Sequence, residues 1–358
     1  MNALGRRLTA LACATALACL TALTTGACAR PENTEPSATP HIGFSLATSA
    51  QDFAQEMADG GKFAADDVGG VELQISAPPS VDPPQQVKLL EDLARTAPDG
   101  IAMENLAPDL FVRPLADLAA QNRRLVGVDT VPAEGSMVDL YVGNDNFGAG
   151  RELALQAISL LPADATGTVV LGTPNPGVPV LDQRAEGMKA AFAETLPGVE
   201  VLGPFETKNE PTENFAIWNG LVKANPEALA FLGTGDQDSY NLANVKRTNG
   251  GDYLTAAFDL DPQTLEAVKD GTNFATMSPE HYFKGYVAVR LLAEAAKNGT
   301  EPPAGWIDPG HLLVTAANID EITARQAADE AKRTWLDAKA DAFFAEIDTH
   351  VRPYAEAR

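Results

Sequence analysis

Past residue 28 the chain has no cysteine: Cys13, Cys19 and Cys28 are its only three, and all fall in or at the edge of an N-terminal apolar stretch. The remainder therefore offers no disulfide, no thiolate metal site and no thiol nucleophile. Basic charge is also scarce, with 26 Lys and Arg against 49 Asp and Glu and a net charge of −23. No nucleic-acid partner is expected, because phosphate contacts need a basic face. The acidity itself speaks to solubility and does not identify a ligand. Catalytic signatures are missing as well. The sequence has no nucleophile elbow, no phosphate loop and no His-x-x-x-His pair, and its four histidines (His41, His281, His311, His350) are scattered. The acidic pairs Asp236-Gln237-Asp238 and Asp259-Leu260-Asp261 lack the glycine and closing glutamate of a calcium loop and read more simply as caps. No cofactor, metal or catalytic residue is expected.

What is present begins with Arg6 and Arg7, an apolar run over residues 8–23 and the small-residue stretch Thr24-Thr25-Gly26-Ala27-Cys28. A short apolar core ending at a cleavage-like site is the pattern of a secretory signal peptide and not of a membrane span. Residues 1–27 are therefore set aside from the fold. Gly26-Ala27-Cys28 resembles a bacterial lipobox, which implies that Cys28 carries lipid and begins the mature chain. Thr25 stands where that motif prefers Leu, and the alternative is an ordinary cleavage site with an incidental cysteine. Residues 28–40, polar and proline-rich, read as a flexible tether. The expected location is the extracytoplasmic face of the cell membrane, reached through the lipid anchor only.

From His41 onward short apolar runs alternate with helical patterns, the signature of βα units and a mainly parallel sheet. Strands are expected at residues 41–46, 71–76, 100–103, 125–129 and 139–143. A second series follows at 167–172, 199–202, 228–232, 254–258 and 274–277. Helices between them place Phe53, Met57, Gly60, Ala64 and Val68, or Ala185, Met188 and Phe192, on one face. The same βα series performed twice, with no proline-rich linker between, implies two lobes joined by crossing strands. Parallel sheets bind ligands at the carboxyl ends of their strands, so two facing lobes enclose one cleft. Residues 320–358, charged and alanine-rich, read as one or two helices packed outside.

The run Tyr141-Val142-Gly143-Asn144-Asp145-Asn146-Phe147-Gly148-Ala149-Gly150-Arg151 is the best marker of a known family. With Gln183-Arg184-Ala185-Glu186-Gly187-Met188, Ala257-Phe258-Asp259, Ala275-Thr276-Met277 and the closing segment at 307–315, it resembles the periplasmic binding proteins of the ribose and galactose type. These share their fold with the ligand-binding domains of LacI-type repressors. The resemblance implies an α/β fold of two Rossmann-like lobes with parallel sheets and a three-segment hinge: residues 41–145 plus 279–313, and 146–278 plus 314–319. The implied hinge lies near 144–148, 278–280 and 312–315. It also implies a small sugar-like ligand in the cleft, an ABC permease as partner and a monomer.

Carried over residue by residue, Phe53 matches an aromatic after the first strand, Asp129 and Asp259 match strand-end aspartates, and Arg184 an arginine entering a helix. Asp236 stands where the family often places a polar pair. Planar carboxylates and guanidinium forks suit adjacent hydroxyls. The structural alternatives are helix caps for Asp129, Asp236 and Asp259, a surface ion pair with Glu186 for Arg184, and plain core for Phe53. Four departures bear on the ligand: Thr130 replaces an arginine, Ala54 a second aromatic, Glu104 followed by Asn105 an asparagine, and Pro279 with Glu280 and His281 a glutamine. Glu104, Asn105, Thr130 and Glu280 join the expected ligand-contacting residues. Competing functions are an enzyme, a LacI-type repressor, which would need a DNA-binding segment where the leader and tether stand, and a receptor that reports ligand to a sensor protein.

Overall fold

A computed structural model describes residues 39–357. The leader, Cys28 and all of the tether except Thr39 and Pro40 lie outside the described residues. The first series runs β1 (His41–Ser45), α1 (Asp52–Val68), β2 (Glu72–Ser76), α2 (Pro83–Thr96), β3 (Gly100–Glu104), α3 (Pro108–Ala119), β4 (Leu125–Val128) and β5 (Leu140–Val142). The second runs α4 (Asn146–Ser159), β6 (Gly167–Thr173), α5 (Pro179–Thr195), β7 (Val199–Glu206), α6 (Pro211–Ala224), β8 (Ala230–Gly233), α7 (Asp236–Asn249), β9 (Leu254–Phe258), α8 (Pro262–Lys269) and β10 (Ala275–Ser278). The chain then returns to the first lobe for α9 (His281–Asn298) and β11 (Gly305–Ile307), and crosses again for β12 (Leu312–Thr315). Helices α2, α3, α5, α6 and α8 each open with proline, whose fixed φ and missing N–H suit the first helical position.

These strands form two sheets, in the orders β2-β1-β3-β4-β5-β11 and β7-β6-β8-β9-β10-β12, and the C-terminal extension adds a seventh strand to the first beside β11. Among these twelve strands all neighbours are parallel except β12, which runs antiparallel to β10. Strands β3, β4, β5 and β8 are buried along their whole length, as expected where helices cover both faces. The expected two-lobed α/β arrangement is the one observed. One segment differs: residues 307–315 do not form one closing strand. Pro309 and Gly310 (φ 84°) break it into β11 and β12, so the third crossing falls at 308–311 and β12 starts in the second lobe ahead of the expected boundary at 313.

The C-terminal extension is more than an outer helix. Helix α10 (Ile319–Gln326) packs Ile319 and Ile322 on Leu265 and Val268 of the second lobe. Helix α11 (Asp329–Ala345) packs Leu336, Ala340 and Phe343 on the first lobe. After a short α12 (Ile347–His350), β13 (Val351–Arg352) pairs antiparallel with β11 at the edge of the first sheet.

In each lobe one pair of helices crosses at glycines. A Cβ on Gly150 of α4 would lie 2.0 Å from the Arg184 carbonyl oxygen, and one on Gly187 of α5 would lie 2.0 Å from that of Phe147. A Cβ on Gly60 of α1 would lie 1.8 Å from the Tyr282 carbonyl oxygen, and one on Gly285 of α9 would lie 2.1 Å from that of Met57. These backbone-to-backbone contacts fix where Arg184 and the first turn of α9 sit.

Candidate functional site

Asp129 follows β4 and Asp259 follows β9, at the same place in the two lobes. Both have left-handed backbones (φ 64° and 77°), a region aspartate tolerates better than most residues. Each extends its sheet by one bond: Asp129 N–H donates to the Val142 carbonyl (2.9 Å) and Asp259 N–H to that of Met277 (2.8 Å). Their carboxylates turn into the cleft. Helix α9 places His281 and Lys284 one turn apart between them. His281 Nε2 donates to Asp259 Oδ1 at 2.8 Å, its Nδ1 lies 3.4 Å from Lys284 Nζ, and Lys284 Nζ donates to Asp129 Oδ1. Because α9 belongs to the first lobe, the His281 to Asp259 bond spans the cleft. Lys284 is fully buried, and Asp129, Asp259 and His281 are each 4% exposed.

Burial works to raise the pKa of Asp129, but Lys284, His281 and Arg184 outweigh it and hold the carboxyl at about 2. Burial pushes the Lys284 ammonium down, opposed by Asp129. Arg184, on α5, donates from Nε to Asn146 Oδ1 (3.1 Å) and from Nη1 to the Thr234 carbonyl (2.8 Å), with its guanidinium 4.1 Å above the Phe258 ring. It is 3% exposed and is not a surface partner of Glu186. Burial lowers its pKa, while Asp259 and Asp129 act to raise it.

Asp129, Asp259, His281 and Arg184 line one cavity in the cleft. Phe53, Asp129, Arg184, Asp236 and Asp259 all line it, so five of the nine expected residues come together. The Phe53 ring lies 5.8 Å from that of His281. The opposite wall is apolar: Val178, Val180 and Leu181 of the second lobe pack with Leu106 of the first.

The other four expected residues do not line this cavity. Glu104 lies behind it, fully buried, with Oε2 accepting from Ala47 N–H at 2.7 Å and Oε1 without a hydrogen-bond partner. Burial and the nearby Asp129 raise its pKa to about 8, so it is a neutral acid at pH 7. Asn105 is buried and turns its side chain to its own loop, accepting from Ala107 N–H at 3.0 Å. Thr130 is buried with its hydroxyl unpartnered. Glu280 faces the back of the hinge. Its left-handed backbone (φ 53°) at the second crossing turns the carboxylate to the extension, where Arg325 Nη1 donates to both oxygens (3.0 and 3.1 Å) and Lys339 Nζ to Oε2 (3.2 Å).

His281, Lys284, Gln237, Asn209 and the apolar wall were not among the expected residues. The signal for Lys284 was its place in Tyr282-Phe283-Lys284-Gly285-Tyr286, a lysine on a helix too apolar to be a surface element. Among the described residues no helix is long and apolar enough to cross a membrane, and no three His, Cys, Asp or Glu side chains are grouped to hold a metal ion.

Comparison with known proteins agrees with this geometry. The xylose/arabinose-binding protein XylF of Sulfolobus acidocaldarius is 18% identical over 62% of this chain, and the match spans 58% of that protein's length. The ribose import binding protein RbsB of Bacillus subtilis is 22% identical over 75% of this chain and 84% of its own. An ABC transporter solute-binding protein of Agrobacterium vitis, solved with α-D-tagatopyranose, superposes with a TM-score of 0.73 at 23% identity, covering 80% of this chain and 98% of that one. Residues 42–301 match the family described as periplasmic binding protein domain, and the chain belongs to that family.

Proposed function

We propose that this protein is the solute-binding component of an ABC importer, taking a small sugar or sugar-like polyol between its lobes and passing it to a membrane permease. One observation carries the reading: two strand-end aspartates, one from each lobe, are linked by Lys284 and His281 and face a cavity that Arg184 also lines. Carboxylates accept from adjacent hydroxyls, and the guanidinium, with five N–H donors, keeps those on Nη2 for a ligand. Phe53 and the wall at Val178 and Leu181 suit the C–H faces of a ring. The names of the relatives, which bind xylose, arabinose or ribose, are in keeping with this chemistry. Binding, and not catalysis, is the role these groups serve.

A thermal-shift screen of pentoses, hexoses and polyols tests the reading. A ligand at about 100 times its dissociation constant adds roughly 2.7 kcal/mol of stability, a shift easily read, and no shift with any member would refute it. The same proposal places the protein on the extracytoplasmic face as a monomer, tethered by lipid on Cys28. Replacing Cys28 by serine then releases it from the membrane fraction; a wild type already soluble would count against the anchor.

A further inference from the structure

Three helices begin at the mouth of the cleft, and each carries an aspartate at its start. Asp52 is the first residue of α1, from the first lobe; Asp236 is the first residue of α7 and Asp261 the N-cap of α8, both from the second. A helix N-terminus attracts anions through its free N–H groups. Two of these N-termini are met by the chain's own carboxylates: Asp261 Oδ1 accepts from Gln263 N–H at 2.7 Å at α8, and Asp238 Oδ2 accepts from Gly235 N–H at 3.1 Å at α7. An incoming phosphate or carboxylate would meet clustered carboxyl oxygens and no cation among the residues that line the mouth.

Asp236 is the least satisfied of the three. It is 6% exposed, its Oδ1 is buried without a hydrogen-bond partner, and it lines both the inner cavity and the outer mouth. Burial, followed by Asp259, Asp52, Asp261 and Glu56, pushes its pKa well up. Burial and the neighbouring carboxylates raise Asp52 to about 7, with Lys332 opposing. The cations of the inner cleft do not relieve this. Lys284 is engaged by Asp129, and Arg184 by Asn146 and Thr234. Among the described residues no Lys or Arg lines the mouth.

Resting on the sugar-binding reading above, we propose that the ligand is an amine-bearing sugar or polyol, its ammonium seated against Asp236 between Asp52 and Asp261. An ammonium brings three donors and no acceptor. It supplies the missing partner of Asp236 Oδ1 as a charge-assisted bond and favours the ionised carboxyl that burial and its neighbours otherwise disfavour. The hydroxyls of the same molecule lie toward Arg184, Asp129 and Asp259. The order of preference that follows is amine over neutral over acid.

Titration calorimetry of the mature chain at pH 7 tests this with D-glucose, D-galactose, D-glucosamine, D-galactosamine, 6-amino-6-deoxy-D-glucose and D-glucuronate. At least one amino sugar binds about tenfold or more tighter than its parent hexose, and the uronate binds more weakly than either. The Asp236→Asn variant, which keeps size and hydrogen-bonding capacity, loses that preference. The wild-type series stands even where the variant folds poorly. Neutral hexoses binding as well as every amino sugar would overturn the inference and leave the sugar-binding reading in place, as would a preference that survives in Asp236→Asn. Binding by no member of the series at millimolar concentration would overturn both.

Discussion

Replacing Lys284 by methionine removes the one ammonium in the buried chain between the lobes while keeping the length and most of the volume of the side chain. Lys284 is fully buried and its partner Asp129 nearly so, so the carboxylate left behind has no water to turn to. Removing one partner of a buried ion pair costs about 3–5 kcal/mol, most of it the penalty of the stranded charge. The penalty depends on pH in a known direction. In the wild type Asp129 is held at about 2 against an ordinary 3.8, so its pairing contributes stability above 3.8 that is lost as pH falls through about 2. In Lys284→Met the carboxyl pKa rises instead, and the deficit at pH 7 shrinks toward pH 4 as the acid takes up a proton. A double variant, Asp129→Asn with Lys284→Met, recovers most of the loss because neither charge remains. Urea unfolding with an unchanged m-value reads both effects. A deficit below about 1 kcal/mol, or a double variant no more stable than the single one, would refute the claim that the pair is a matched, dry ion pair.

Glu280→Ala strands Arg325 behind the hinge and lowers stability by about 3–5 kcal/mol, while sugar affinity changes far less, because Glu280 does not line the cleft; affinity lost with stability intact would return it to the ligand site. Glu104→Gln stabilises the protein at high pH. The Glu104 pKa is raised from 4.5 to about 8, so the wild type loses up to about 5 kcal/mol as pH climbs between those values. Unfolding curves of the two proteins converge below pH 4.5 and separate above it; parallel curves would contradict this. Closure of the lobes on ligand, hinged at the three crossings, reduces the radius of gyration seen by small-angle scattering, and an unchanged radius at saturation would argue for a rigid site.

The alternation of apolar runs and helical faces made the two lobes readable, because most strands are buried apolar runs set between helical patterns. Strand β13, two residues long, is not. Asp129, Asp259, Arg184 and Phe53 were legible because strand ends and helix starts are marked locally. Lys284 was missed: the apolar run around it hints at burial, but its partner lies 155 residues away and no local pattern names it. Glu280 was misplaced for the same kind of reason. Which way it faces is decided by a left-handed turn and by Arg325 and Lys339, far downstream in an extension whose docking no local pattern records. The closing segment could have been divided from sequence, since Pro309-Gly310 is a chain-breaking pair.

In a sugar-binding cleft of this kind the strand-end aspartates grip the ligand. Asp259→Asn tests this most directly, because asparagine suits the left-handed backbone and still accepts the His281 Nε2 bond. Only the charge is lost. Replacing a charge-assisted hydroxyl bond with a neutral one weakens binding by about 1–2 kcal/mol, roughly five- to thirtyfold. Titration calorimetry with the tightest sugar from the thermal screen, run beside urea unfolding without ligand, should show that drop in affinity with stability nearly unchanged. Full affinity with a large loss of stability would make Asp259 a structural cap and remove the site from this cleft.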